Sequence, residues 1–208
     1  MASKFIITIA REFCSGGHEI GKILAKKLNI DFYDKELISL AAKDSGIDPS
    51  VFEDADERAT NSLLYSLSLG MYSLSSSFAP MGDLPVNDRL FVIQHNIIKE
   101  LADKGPCVIV GRCADYVLRE RKNCIKIFIH ADPKIRTAKA IEVHALDPYK
   151  AEAIVHKTDK TRANYYSFYS EQKWGFAKNF DLCLDSGKQS LEESVELIES
   201  YIKIRERN

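Results

Sequence analysis

The chain has 208 residues, 45% of them hydrophobic and 28% charged, an ordinary globular composition that excludes a disordered or collagen-like chain. Its 29 Lys and Arg against 30 Asp and Glu leave a formal charge of -1, so neither a nucleic-acid coat nor a polybasic membrane anchor is expected. The longest apolar runs are far too short to cross a bilayer, and MASKFIITIAREF turns polar too early for a secretory leader, so the expectation is a soluble cytoplasmic protein.

The first element is a β-branched strand, FIITIA at 5–10, followed by a glycine-bearing loop and a helix with Ile20, Ile23, Leu24 and Leu28 on one face. NIDFY at 29–33 is a weaker strand, and Leu37, Ile38, Leu40 and Ala41 suggest a second helix. Residues 45–90 contain no clear strand, although Leu67, Leu69 and Met71 would fit one. Leu63, Leu64, Leu67, Met71 and Leu74 keep a helical period there, and the Leu-Ser-Tyr stretch is apolar enough to cover a site or bury a dimer contact. A helix over 90–101 then leads to the strand CVIVG at 107–111. IKIFIHA at 125–131 is the next strand and 135–146 the next helix. An insertion at 144–180 precedes the last strand, DLCLD at 181–185, and a helix over 191–204 closes the chain. Strands alternating with helices, several of them apolar throughout, predict a single α/β domain over 1–208 built on a five-stranded parallel sheet. Insertions after strands, on the carboxyl side of such a sheet, are where ligand covers sit.

The five cysteines, at 14, 107, 113, 124 and 183, form no C-x-x-C pair, and the five histidines form no H-E-x-x-H, so a zinc site has no support. Cys107 and Cys183 read as small core residues. Cys14, in a glycine-bearing loop, could be a reactive thiol, but with no base beside it in sequence it reads more readily as a spectator.

ITIAREFCSGGHEIGKILAKKL is strand, glycine loop and helix, an arrangement that aims helix-start N–H groups and the positive end of the helix dipole at one point. Gly16-x-x-x-x-Gly21-Lys22 matches a phosphate-loop pattern, but the apolar face places Gly21 and Lys22 inside the helix, and Ile23 replaces the required hydroxyl. The sensible register starts the loop at Arg11 and opens the helix near Gly16 and Gly17. Gly17 then stands where the phosphate-binding lysine belongs, and His18 where the magnesium hydroxyl belongs. Arg11, Ser15, Gly16, Gly17 and His18 are therefore the candidate phosphate-binding residues.

Together these pieces resemble the cytidylate kinase-like family of P-loop nucleoside monophosphate kinases. FYDKELISLAA is similar to the segment leading to the monophosphate site, and QHNIIKELADKGPCVIVGRCADYVL to the helix and strand that end in Gly-Arg. IKIFIHADPKIRTAKAI resembles the fourth strand with an arginine-bearing lid, KTDKTRAN the segment after the lid, and DLCLDSG the closing strand. The resemblance implies ATP and Mg2+ as cofactors, nucleotides as substrates, a helical insert at 45–90 near the acceptor site, and a lid with following helices over 132–180. It implies catalytic roles for Arg112, Arg136 and Arg162, lid positions at Lys139 and Asp159, and acceptor-side positions at Asp34, Arg89 and Gln94. Asp34 reads equally as a helix N-cap, and Tyr165, Tyr166, Phe168, Tyr169 and Trp174 as base-stacking rings or as lid packing. The departures are Gly17, His18, Cys113 where the family carries an acid, and no acid on CVIVG to support the metal. Lys22 and Lys35 are candidates for the missing charge, and the metal ligands stay unassigned.

Two other readings remain open on sequence: a nucleotide-binding protein without turnover, and a dinucleotide reductase. The latter rests on Gly17-x-x-x-Gly21, Asp34 and Tyr169-x-x-x-Lys173, without the full glycine fingerprint.

Overall fold

In the computed structural model, which describes residues 4–34 and 86–207, the opening apolar run forms the central strand of a five-stranded parallel sheet. The strands are β1 (Ile6–Arg11), β2 (Asp31–Tyr33), β3 (Cys107–Val110), β4 (Cys124–His130) and β5 (Leu182–Asp185), in the order β2-β3-β1-β4-β5. Register pairs Ile9 with Val110 on one side of β1 and Arg11 with Ile129 on the other. The carboxyl ends of the three central strands therefore finish side by side.

Helices cover both faces, which is why the central strands read as unbroken apolar runs. On one face, α1 (Gly17–Leu28) and the carboxyl-terminal helix α6 (Leu191–Glu206) bury Ile20, Leu24, Val195, Ile198 and Ile202 against Ile7, Ile9, Val110 and Ile127. On the other, α2 (Val86–Lys104) and the short α3 (Ala114–Val117) pack Ile98, Leu101 and Val117 against Ile6 and Ile109. Phe128, Trp174 and Phe180 continue that face towards β5. The first expected helix ends where its apolar face ends. Asn29 caps it in the left-handed conformation (φ 51), and the Ile30 amide returns to Ala25. The second strand accordingly starts at Asp31 rather than 29.

Beyond β4 lie α4 (Pro133–His144) and α5 (Pro148–Ser170), which pack on each other. Both open with an aspartate cap followed by proline: Asp132 accepts from the Lys134 amide and Asp147 from the Tyr149 amide. The sequence left 144–180 as an insertion, yet most of it is one 23-residue helix. Its periodicity is faint because only Ala151, Val155, Tyr166 and Ser170 are buried along it, too few for an apolar stripe, and the helices after the lid came from the resemblance. Cys107 is core, as expected, whereas Cys183 is exposed, because β5 is an edge strand. The expected helix near Leu37, the part of the insert up to 85, Lys35, Leu67 and Met71 lie outside the described residues.

Candidate functional site

The β1–α1 loop ends at Gly16, in the left-handed region (φ 79), and α1 opens at Gly17 with no side-chain cap. The first-turn amides therefore point along the helix axis from its positive end. The loop braces itself from within. The Ser15 amide and hydroxyl both donate to the Glu12 carbonyl, at 3.3 and 2.9 Å, and the Ser186 hydroxyl donates to the Ser15 carbonyl at 2.5 Å. Ser15 is thus a buried closure of the loop, and the amides from Gly16 onward form its open end. Gly21 lies inside α1, where a Cβ would meet Val110, Ile9 and Phe32 at 3.0–3.3 Å, and Lys22 is exposed. Helix packing accounts for Gly21, and the register that starts the loop at Arg11 is the one the fold adopts. His18 Nε2 pairs with Asp34 Oδ2 at 3.0 Å, edge-on to Phe32, which joins the loop to the end of β2.

Three arginines from three segments line one pocket above the carboxyl ends of β1 and β3. Arg11 ends β1, Arg112 follows β3, and Arg162 comes from α5. The turn after β3 carries three successive positive φ angles: Gly111 (83), Arg112 (57) and Cys113 (53). Two of these are on non-glycine residues, a conformation that costs about 1 kcal/mol or more each and that clusters at working sites. Arg162 Nη1 donates to the Arg11 carbonyl at 3.3 Å, and its guanidinium lies over the Phe13 ring. Ala10, Tyr165, Tyr166 and Trp174 complete the wall. The cavity is about 40 Å³ as bounded by the described residues. That holds water or a small anion, while nucleotide-sized pockets run to hundreds of Å³.

Arg136 is placed otherwise. It is 3% exposed and bonded on every side. Its Nε donates to the Ala131 carbonyl and faces Glu12 Oε2 at 3.1 Å; its Nη1 donates to the Phe13 carbonyl and to Asp159 Oδ2 at 2.5 Å. Asp159 also accepts from the Phe13 amide at 2.7 Å, and Glu12 from the Ala131 amide at 3.1 Å. Arg136 and Asp159 therefore form a brace that fastens α4 and α5 to the loop, whereas the resemblance implied a catalytic role for Arg136 and a lid position for Asp159. Lys139, one turn further along α4, reaches towards Gly16, with its Nζ 4.0 Å from where a Cβ there would stand.

Asp115 escaped the sequence reading, hidden in the apolar string CADYVL. It lines the arginine pocket at 4% exposure and accepts from the Tyr166 hydroxyl at 2.7 Å. Burial pushes its pKa up to about 6, against the opposing pull of Tyr166 and the local backbone amides. Burial likewise raises the Tyr166 and Tyr169 hydroxyls, and Tyr169 donates to Asp88 while stacking on Phe91 at 4.0 Å. The aromatic cluster is packing that ties α5 to α2. Gln94 is buried and accepts from the Tyr165 hydroxyl at 3.4 Å, one residue away from the pocket. Arg89 lies on α2, within Val86–Lys104. The Cys14 thiol is raised by burial, which agrees with an inert group.

The fold family implies Mg2+, and the side chains at the loop do not fit a protein-held ion. The turn after β3 offers Gly111 and Arg112 in place of an acid, Asp34 is engaged by His18, and Glu12 by Arg136. No group of three His, Cys, Asp or Glu suited to a metal exists among the described residues. No described helix is long and apolar enough to cross a membrane.

A sequence profile described as the cytidylate kinase-like family matches residues 6–188. Among solved structures, an uncharacterized protein from Eubacterium ventriosum is 31% identical, with a TM-score of 0.72, covering 96% of this chain and 99% of that one. Shikimate kinase from Bacteroides thetaiotaomicron superposes with a TM-score of 0.54 at 13% identity, covering 96% and 98% of the two chains. A gluconokinase from Sinorhizobium meliloti gives 0.53 at 15% identity, covering 94% and 90%. These two share the fold. No curated protein matches the chain.

Proposed function

Because the chain belongs to the cytidylate kinase-like family, we propose that it transfers the γ-phosphoryl group of ATP to a nucleoside monophosphate. The observation that carries this reading is the convergence of Arg11, Arg112 and Arg162 on one pocket, with the stem of Arg11 against Gly17 at the uncapped start of α1. Phosphoryl transfer is catalysed by alignment and by neutralising charge on oxygens. An acceptor that is itself a phosphate brings a second set of anionic charges to the site, and three guanidinium groups match that need better than a neutral alcohol would. An ionised phosphate oxygen attacks the γ-phosphorus, the bond to the β-phosphate oxygen breaks, and ADP leaves. No proton has to be removed from the acceptor. Asp115, held by Tyr166, is then a support for the pocket wall.

In this proposal 1–208 is a single unit and 132–180 forms the lid and following helices over the site. Incubation with ATP and Mg2+ and a panel of nucleoside monophosphates is expected to release ADP with at least one of them. Silence across the panel overturns the transfer reading.

A second reading, nucleotide binding without turnover, is favoured by the glycine at the lysine position of the loop. It predicts a nucleotide-dependent rise in Tm with no product, so the two experiments separate the readings.

A further inference from the structure

The loop lacks its lysine for a steric reason. A Cβ on Gly17 would stand 2.6 Å from the Arg11 Cβ and 3.0 Å from its Cγ, so no side chain enters there while Arg11 keeps its place. The Arg11 side chain then runs to Gly111. A Cβ on that glycine would fall 2.2 Å from Nη1, 3.1 Å from Cζ and 3.4 Å from Nη2. Two glycines from different elements thus bracket one arginine, its stem against the first residue of α1 and its guanidinium against the turn after β3.

We propose that Arg11 replaces the phosphate-loop lysine, delivering from the end of β1 the positive charge that meets the donor's phosphate chain. The inference rests on the kinase reading and assigns the donor side of that site. A guanidinium suits this position, because its planar fork binds two phosphate oxygens at once and stays charged at every working pH. The alternatives on the same helix are worse placed: Lys22 is exposed one turn on, and His18 pairs with Asp34. Gly17 and Gly111 are then the signature of the exchange, since both leave room for a side chain that comes from a third segment.

The test is calorimetric titration of ATP into the full chain and its variants. Arg11→Ala is expected to weaken ATP binding at least tenfold, while Lys22→Ala binds as the parent does. Arg11→Gly with Gly17→Lys, which removes the Cβ that a side chain at 17 would meet and fills the room from the helix, is expected to recover at least a third of the loss on a logarithmic scale. Should Arg11→Ala not fold, Arg11→Lys keeps the stem and is expected to weaken binding at least threefold. Undiminished ATP affinity in the Arg11 variant that folds overturns the proposal, as does a double variant no better than Arg11→Ala. If affinity falls as expected but no monophosphate releases ADP, the transfer reading fails and the role of Arg11 stands. If turnover occurs and Arg11→Ala retains parental ATP affinity, the reverse holds.

Discussion

The turns leaving β3 and β4 each place an arginine near the carboxyl end of the sheet, and the two arginines come to opposite ends. Arg112, in a left-handed turn, lines the pocket with two other cations. Arg136, one helical turn into α4, is enclosed by Glu12, Asp159 and two carbonyls. Position at a strand end brings a cation to the crevice. Whether it lines the crevice or braces the scaffold depends on where its backbone aims it: a left-handed turn for Arg112, the first turn of a helix packed on α5 for Arg136.

The sharpest break of that comparison is Arg136→Ala. It strands two carboxylates against the loop, and removing one partner of a buried ionic cluster costs about 3–5 kcal/mol. Thermal or denaturant unfolding should register a large loss of stability, and a stable variant would mean that the brace is dispensable. Arg112→Ala should do the converse. We expect a smaller loss of unfolding free energy than in Arg136→Ala, and any phosphoryl-transfer kcat/KM to fall by about 100-fold, equivalent to about 2.7 kcal/mol. Equal stability losses in the two variants would erase the distinction between brace and site.

Asp115 supplies the smallest effect. Its carboxyl sits at about 6 in the folded chain against an ordinary value of 3.8, so the folded state binds the proton more tightly than the unfolded one. That contribution is complete below about pH 4 and is lost as pH rises through 6. Between pH 4.5 and 7.5 it removes about 2 kcal/mol of stability. Unfolding curves of the parent and of Asp115→Asn should therefore differ in slope over that interval. Parallel pH profiles would show that Asp115 is not the group responsible.

Much of this was legible in the chain. The β-branched runs at 5–10, 107–111 and 125–131 gave the central strands within a residue or two, because strands covered on both faces must be apolar throughout. Ile20, Leu24 and Leu28 set the register of α1, and with it the opening of the loop at Gly16 and Gly17. The helix over 148–170 was not legible as a helix from periodicity, since a cover that buries few residues carries no stripe. Its Asp147-Pro148 start was the available signal.

Local pattern thus determined the parallel sheet, the uncapped helix start and the strand-end arginine, all of which depend on neighbours a few residues apart. Tertiary structure alone decided what each charge does. Arg136 meets Glu12 from 124 positions away and Asp159 from 23, Asp115 meets Tyr166 from 51, and Arg11 is sandwiched by glycines of two other elements. The work of a charged side chain is set by the groups that surround it in space, and the chain brings those groups together only on folding.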